Sequence, residues 1–351
     1  PDFSAGSFRA HALTRSLQKN KNYKKIIIFS TQPQRYGNQK NIPKKEINKN
    51  VTIYRFKTPQ HYNNFILQVF CFSVFFIKSI FYSMIYSKNF DYIFATSSRF
   101  GTGFLGFIIS KIFRKKLALD IRDIFSDSLS SISLSKSIFI KPLIKIIHKF
   151  ETLICSHAHW LNFVSPGFIE YEHLNAENIK PQVYTNGIDN IFIRNSKNKN
   201  IKTNKKNCLL ITYAGNIGFG QGLEKTVVKI AQHYGEKVLF KLIGDGSAIK
   251  LINNEISRLS CNNIILIKPV SRKELLNYYN ISDVLFLQLN DIDVFNKVLP
   301  SKIFDCGSFD KPILAGVSGV AKSFLEENLP YSFIYEPGNH KEAIKKNRSN
   351  Y

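Results

Sequence analysis

Three runs in the second half of the sequence carry residues whose types and spacing suit the chemistry of phosphates. The first, Tyr213-Ala-Gly-Asn-Ile-Gly-Phe-Gly-Gln-Gly-Leu223, reads as a strand end, a glycine-rich turn and a helix beginning near Gly222. Glycines let backbone approach an anion, and a helix start offers unpaired N–H groups and a positive dipole end. Such a turn is as often purely structural, and its spacing is not that of a dinucleotide fingerprint. The second run, Leu242-Ile-Gly-Asp-Gly-Ser247, repeats the pattern after the next strand, which puts Gly215, Asn216, Gly218 and Gln221 on the same sheet edge as Gly244, Asp245 and Gly246. Two such turns side by side predict a nucleotide-diphosphate pocket, with two plain tight turns as the other reading. In the third run, Val298-Leu-Pro-Ser-Lys-Ile-Phe-Asp-Cys-Gly307, Pro300 and Ser301 are helix-start residues, Ser301 as the cap. Lys302 then falls in the first helical turn, where a cation is unfavourable unless an anion is present. Asp305, one turn on, offers a carboxylate to a ribose diol, or is simply solvated.

In the first half, Asp120-Ile-Arg-Asp-Ile-Phe-Ser-Asp127 follows an apolar run and places Arg122, Asp123 and Asp127 at a strand end. An Arg122–Asp123 salt bridge is the structural alternative. His157 and His159 have no third ligand nearby in sequence, so no metal site is expected. The five cysteines are far apart, which fits a reducing compartment and no thiolate metal site. Ser/His/Asp nucleophile motifs are absent.

The elements that must position these residues alternate regularly. Helix Ser7 to Leu17 is followed by strands at Lys25 to Ser30, Val51 to Phe56, Tyr92 to Thr96, Lys116 to Ile121, Trp160 to Val164 and Gln182 to Tyr184, with helices between. A polar stretch at 195–207 reads as a linker. Further strands follow at Leu209 to Ala214, Val238 to Ile243, Ile264 to Pro269, Val284 to Leu289, Pro312 to Ala315 and Phe333 to Tyr335. This predicts an α/β chain of two Rossmann-like, doubly wound domains, residues 1–194 and 208–351, facing across a cleft. The opening at Pro1, without an initiator methionine, leads us to expect residues upstream.

With 351 residues, 44% hydrophobic and 21% charged, the chain has material for two cores and is not globally disordered. Its 49 Lys and Arg against 25 Asp and Glu give a net charge of +24. That attracts anionic surfaces, although biased composition supplies part of it. Nucleic acid is not an expected partner, because no recognisable module accompanies the charge. The aromatic-rich run from Phe65 to Tyr86 is apolar enough to raise the question of a membrane span. A span would separate strands expected in one sheet, so the run reads as a helix lying at an anionic membrane surface, or as a buried crossover helix.

Together with Asn186-Gly-Ile-Asp-Asn-Ile-Phe192 and Lys311-Pro-Ile-Leu-Ala-Gly-Val-Ser-Gly319, the three runs resemble glycosyltransferase family 4, of the GT-B fold. The resemblance covers nearly the whole chain. Within that family it is similar to bacterial O-antigen and capsule N-acetylfucosamine transferases. This implies a retaining, metal-independent, cofactor-free enzyme that takes a nucleotide-sugar, UDP-linked above other nucleotides, to an undecaprenyl-diphosphate-linked acceptor. Such an enzyme works peripherally at the cytoplasmic face of the inner membrane. By position, the resemblance assigns the loop from Gly215 to Gly222 to the diphosphate, and the turn at Gly244 to Gly246 with Pro269 and Val270 to the base. Ser301 and Lys302 fall to the phosphates, Asp305 to the ribose, Gly6 to the cleft, and Asp123 beside the sugar. The resemblance also makes Ser4 to Ser7 the turn after a missing first strand. The family places Arg and Lys where this chain has Asn216 and Gln221, and two glutamates eight positions apart where it has Lys297 and Asp305. Lys297 and Lys302 are then the cations left to the donor site. A sugar-nucleotide epimerase of the same architecture and a non-catalytic two-domain binding or scaffold protein are the alternatives.

Overall fold

The computed structural model describes residues 5–32, 42–59, 65–97, 100–126, 140–174, 179–195 and 208–348. The chain forms two compact units, Pro1–Val164 with Ile169–Tyr184, and Ser165–Phe168 with Thr185–Tyr351. The second unit thus begins ahead of the boundary expected at 194. Phe192 explains the shift: it is fully buried against Tyr279 and Phe309 in the C-terminal core. The expected linker lies, from residue 196 onward, outside the described residues.

The first unit contains α1 (Ala5–Lys19), β1 (Ile26–Thr31), β2 (Lys45–Asn48), β3 (Val51–Phe56), α2 (Phe65–Ile85), β4 (Tyr92–Ser97), α3 (Phe100–Phe113), β5 (Lys116–Ile121), α4 (Ile140–His157), β6 (Trp160–Phe163) and β7 (Gln182–Val183). Among the described residues its strands make two sheets, ordered β1-β3-β2 and β4-β5-β6-β7. All pairings are parallel except β2 with β3. β2, Lys-Glu-Ile-Asn, has one apolar residue and sits on an edge, so it leaves no alternation to read from sequence.

Because β3 and β4 belong to different sheets, the sheet-continuity argument against a span at α2 does not hold. Packing holds α2 to the protein instead. Phe75 and Tyr82 lie against Phe56 of β3, and Phe76 stacks on Phe104 of α3. By length and composition the helix is long and apolar enough to cross a membrane.

The second unit runs α5 (Asn190–Asn195), β8 (Leu209–Asn216), α6 (Val227–Tyr234), β9 (Val238–Asp245), α7 (Ile249–Arg258), β10 (Ile264–Ile267), α8 (Arg272–Ile281), β11 (Val284–Gln288), α9 (Lys302–Gly307), β12 (Ile313–Gly316), α10 (Gly319–Asn328), β13 (Ser332–Tyr335) and α11 (His340–Arg348). Its six strands are all parallel, in the order β10-β9-β8-β11-β12-β13. Side chains alternate between two cores. Tyr213, Leu242 and Phe286 face the helices α6, α7 and α11, while Ala214, Ile243 and Leu287 face α5, α8, α9 and α10. Helices on both faces make this sheet doubly wound, and the strand order reverses direction between β8 and β11. At such a switch point the carboxyl ends of neighbouring strands leave room for a ligand.

Candidate functional site

The carboxyl ends of β8 and β9 lie in register, Gly215 beside Gly244 and Asn216 beside Asp245. Both turns therefore share one edge, as their sequences require. Gly244 has φ +151, and a Cβ there would sit 1.8 Å from the Gly215 carbonyl oxygen. A Cβ on Gly246 would sit 2.2 Å from the Ile217 carbonyl oxygen. The turns are laced together by Ile217 N–H donating to the Asp245 carbonyl at 2.9 Å and Ala248 N–H to the Ile217 carbonyl at 3.0 Å. Gly244 and Gly246 are thus demanded by turn-on-turn packing, whatever else binds there. Asp245 is exposed, and its Oδ1 accepts from Gly246 N–H at 2.8 Å.

Gly215, with φ +143, has a different neighbour. A Cβ there would fall 2.1 Å from Lys302 Cε, so the lysine side chain runs directly across it. Lys302 Nζ donates to the Tyr213 hydroxyl and lies 4.1 Å from that ring's centroid. The Tyr213 hydroxyl in turn donates to the Asn216 carbonyl at 2.5 Å. Burial pulls the Lys302 ammonium down to about 7, against the fields of Cys306 and Asp305, which favour the charge. A partly buried amine that is ready to gain a proton thus stands over the glycine turn of the sheet's switch-point strand.

Asn216 and Gln221, which depart from the pattern of the family the sequence resembles, close the loop on itself. Gln221 Oε1 accepts from Asn216 Nδ2 at 3.0 Å and from Gly218 N–H at 3.2 Å. The helix expected near Gly222 is replaced by two 3₁₀ turns, Phe219–Gln221 and Leu223–Lys225, and α6 starts only at Val227. Gly222 is left-handed at φ +61, which breaks the helix before it can begin. Two residues that the sequence reading missed hold this loop from below. Gln288 Nε2 donates to the Gly222 carbonyl at 2.7 Å, and Asn290 Nδ2 to the Phe219 carbonyl at 2.9 Å. Their signal was available: amide side chains at the tail of an otherwise apolar strand need partners once buried.

Ser301 does not cap α9. Its backbone is already helical at φ −57, ψ −26, and the hydroxyl makes no cap bond, because an N-cap needs extended backbone to reach forward. Asp305 is not a plain solvated carboxylate. Arg272, at the start of α8, donates from NH1 to Oδ2 at 2.7 Å and from NH2 to Oδ1 at 2.9 Å. Burial pushes the Asp305 carboxyl up while this pair pulls it down, leaving it raised overall. Pro269 and Val270 follow β10 and lead into Ser271, which does cap α8 in a reciprocal box with Glu274. Lys297 ends a 3₁₀ turn, Asp293–Lys297, whose last carbonyl accepts from the Ser165 hydroxyl at 2.5 Å.

In the first unit, Gly6 lies inside α1 rather than in a turn, since the helix already begins at Ala5. Ser4 and Asp127 lie outside the described residues. Asp123 is exposed after β5, and no Arg122–Asp123 salt bridge forms. The carboxylate that does organise this edge is Asp120, which is buried. It accepts from Arg9 at 2.9 and 2.7 Å, from Thr96 at 3.0 Å and from Asn162 at 2.7 Å. His148, Glu151 and His173 also come together, a grouping invisible in sequence. The two imidazoles stack at 4.1 Å and 13°, so their planes do not converge on a shared ion, and Glu151 accepts from Phe125 N–H and from Ser126.

No protein-family model matches the chain, and no curated protein matches it. Solved structures do. HepE from Anabaena, in complex with UDP and glucose, is similar at 16% identity and TM-score 0.59, covering 85% of this chain and 76% of that one. Sucrose-phosphate synthase from Thermosynechococcus elongatus is 13% identical with TM-score 0.63, covering 92% and 79%. A UDP-forming α,α-trehalose-phosphate synthase from Burkholderia xenovorans is 10% identical with TM-score 0.62, covering 92% and 91%. The fold is GT-B. At these identities the likeness establishes the two-domain architecture, and the residues at the strand ends must carry any statement about chemistry.

Proposed function

We propose that this chain is a retaining glycosyltransferase that moves a sugar from a UDP-sugar to a lipid-linked acceptor in the assembly of a surface polysaccharide. The observation that carries this reading is Lys302 lying across Gly215 at the switch-point edge of the second unit. The similar HepE structures hold UDP with glucose and UDP-glucose, which supports a nucleotide-sugar donor here.

In this reading the donor diphosphate rests on the glycine turn that follows β8. Breaking the anomeric bond develops negative charge on the departing diphosphate. The protonated Lys302 and the backbone N–H groups of the turn stabilise that charge in place, without reorganisation at the moment of reaction. Asp305 accepts from the ribose while Arg272 fixes its orientation, and Pro269 and Val270 border the base. The family resemblance gives the sugar an acid from the first unit, Asp123, and favours N-acetylfucosamine as the sugar. The net charge of +24 and the exposed apolar face of α2 support a peripheral position at an anionic membrane surface. The test is to incubate the full-length chain with a panel of nucleotide sugars and a lipid-diphosphate acceptor, and to identify the product by mass. Absence of both transfer and donor hydrolysis across the panel rejects the reading in favour of a binding protein.

A further inference from the structure

The carboxyl edge of the sheet β4-β5-β6-β7 carries an arginine, Arg122, whose Nε has no hydrogen-bond partner and which forms no ion pair among the described residues. Asp120, the last acid of β5, already accepts four hydrogen bonds, two from Arg9 and one each from Thr96 and Asn162. A carboxylate has about four lone-pair sites, so none remains for a further donor. Arg122 follows one residue after the strand. Its Nε is shut from solvent and has no hydrogen-bond partner. Among the described residues it forms no ion pair, although the rest of the residue keeps some exposure. Burial lowers its hold on the proton, the fields of Asp123 and Asp120 support the charge, and the nearby Arg9 opposes it. Asp123 keeps surface exposure as a residue, yet burial of its carboxyl raises it to about 6 against the Arg122 charge, so it is an incomplete counter-ion.

Buried polar groups in folded proteins are nearly always satisfied, and an exception asks for a reason. A guanidinium with its Nε desolvated and unpaired, beside a second arginine whose own counter-charge is spent, is a strong attractor for an anion. The guanidinium fork matches phosphoryl oxygens two at a time. It stands, moreover, on the sheet edge where α/β units bind their ligands.

We propose that Arg122, backed by Arg9, is a recognition point in the first unit for a phosphoryl group of a substrate. Both the diphosphate of a lipid-linked acceptor and that of the nucleotide donor offer this chemistry. Assigning the group to either substrate rests on the transferase reading, whereas the anion point itself does not.

The test titrates the full chain calorimetrically with UDP, and then the UDP-loaded chain with inorganic pyrophosphate. Arg122→Met and Arg122→Lys are carried in parallel, and each is checked for a native melting transition. Losing charge-assisted hydrogen bonds to one guanidinium is expected to weaken the affected ligand roughly 10- to 100-fold in Arg122→Met. Arg122→Lys, which keeps the charge and loses the fork, should fall between. Pyrophosphate binding to the UDP-loaded native chain that is weakened in Arg122→Met assigns the point to the acceptor's diphosphate. Weakened UDP binding in the same variant assigns it to the donor. Failure of the native chain to bind UDP rejects the donor reading, while the pyrophosphate titration of the variants still reports on Arg122. Equal binding of both probes by native chain and folded variants overturns the proposal.

Discussion

Arg272 grips both carboxylate oxygens of Asp305, at 2.7 and 2.9 Å, while its guanidinium lies 4.2 Å above the ring of Phe192. A weaker contact of 3.4 Å reaches Asp189 just before α5. One side chain thereby fixes the starts of α5 and α8 and the middle of α9 against each other. The acid that sequence offers as a ribose ligand is thus oriented before any ligand arrives.

Removing that grip should cost stability. Arg272→Ala leaves Asp305 mostly buried without its cation, and breaking such a pair from one side costs about 2–4 kcal/mol when some solvent still reaches it. Chemical denaturation should show the loss, and Arg272→Lys should recover part of it. Asp305→Asn tests the ribose role separately. It should raise the donor KM and leave kcat near native, because ribose contacts are alike in ground and transition states. A pure kcat defect would contradict the assignment.

If the proposed donor site is right, Lys302 should make UDP binding pH-dependent. Burial holds its free-state ammonium near about 7, well below the usual lysine value. A bound diphosphate favours the charged form and raises that value, so binding takes up a proton between the two. Below about pH 7 the lysine is charged in both states and the linkage vanishes. Above it, UDP affinity should fall as pH rises. Titrations at pH 8 in two buffers of different ionisation enthalpy should report proton uptake in the native chain and none in Lys302→Arg. Turnover in Lys302→Ala should drop by about 2–4 kcal/mol of transition-state stabilisation.

Gly244 is a test of the edge as architecture. With φ +151 and a Cβ position 1.8 Å from the Gly215 carbonyl oxygen, Gly244→Ala must push the two turns apart. A loss of at least about 2–3 kcal/mol is expected in denaturant midpoint, with donor binding falling alongside it. Gly235→Ala makes the comparison. That glycine also has positive φ, at +53, but its Cβ position is open, so it carries backbone strain without the clash and should cost less.

Nearly all the strands were legible because parallel strands buried on both faces read as short apolar runs, as β11, Val-Leu-Phe-Leu-Gln, shows. Gly215 and Gly244 were legible as one edge, since their turns follow successive strands, whereas Lys302 joined them in the sequence only through the family resemblance. What stayed hidden was long-range pairing between polar side chains. Nothing local in Ser271-Arg272 announces Asp305, and nothing in Arg9 announces Asp120. Such bonds depend on helix orientation, which single-chain periodicity does not encode. Ser301 was misread for a related reason: residue type proposes a cap, while backbone dihedrals decide it.

The proposed membrane contact turns on the outer face of α2, whose aromatic residues the structure separates into two sets. Phe72, Phe75 and Phe76 point inward, against one another and against Phe56 and Phe104. Ile66 at 76%, Ile77 at 67% and Phe81 at 58% exposure point outward, with Phe70 and Met84 beside them. A second exposed apolar row, Leu143, Ile146, Phe150 and Leu153, runs along α4 among Lys141, Lys145 and Lys149. Apolar insertion and basic attraction are the two signals that stable peripheral binding needs. Vesicle co-sedimentation of the native chain should therefore require anionic lipid and weaken at high salt, since attraction is screened beyond a Debye length of about 8 Å at physiological salt. Replacing Phe70, Ile77 and Phe81 together with Ser removes insertion but no core packing, so binding should fall while the melting transition stays in place. Phe75→Ser should do the opposite, because it empties a contact with Phe56. An outer-face variant that still binds neutral and anionic vesicles equally would remove α2 from the membrane role and leave its exposed face to another partner.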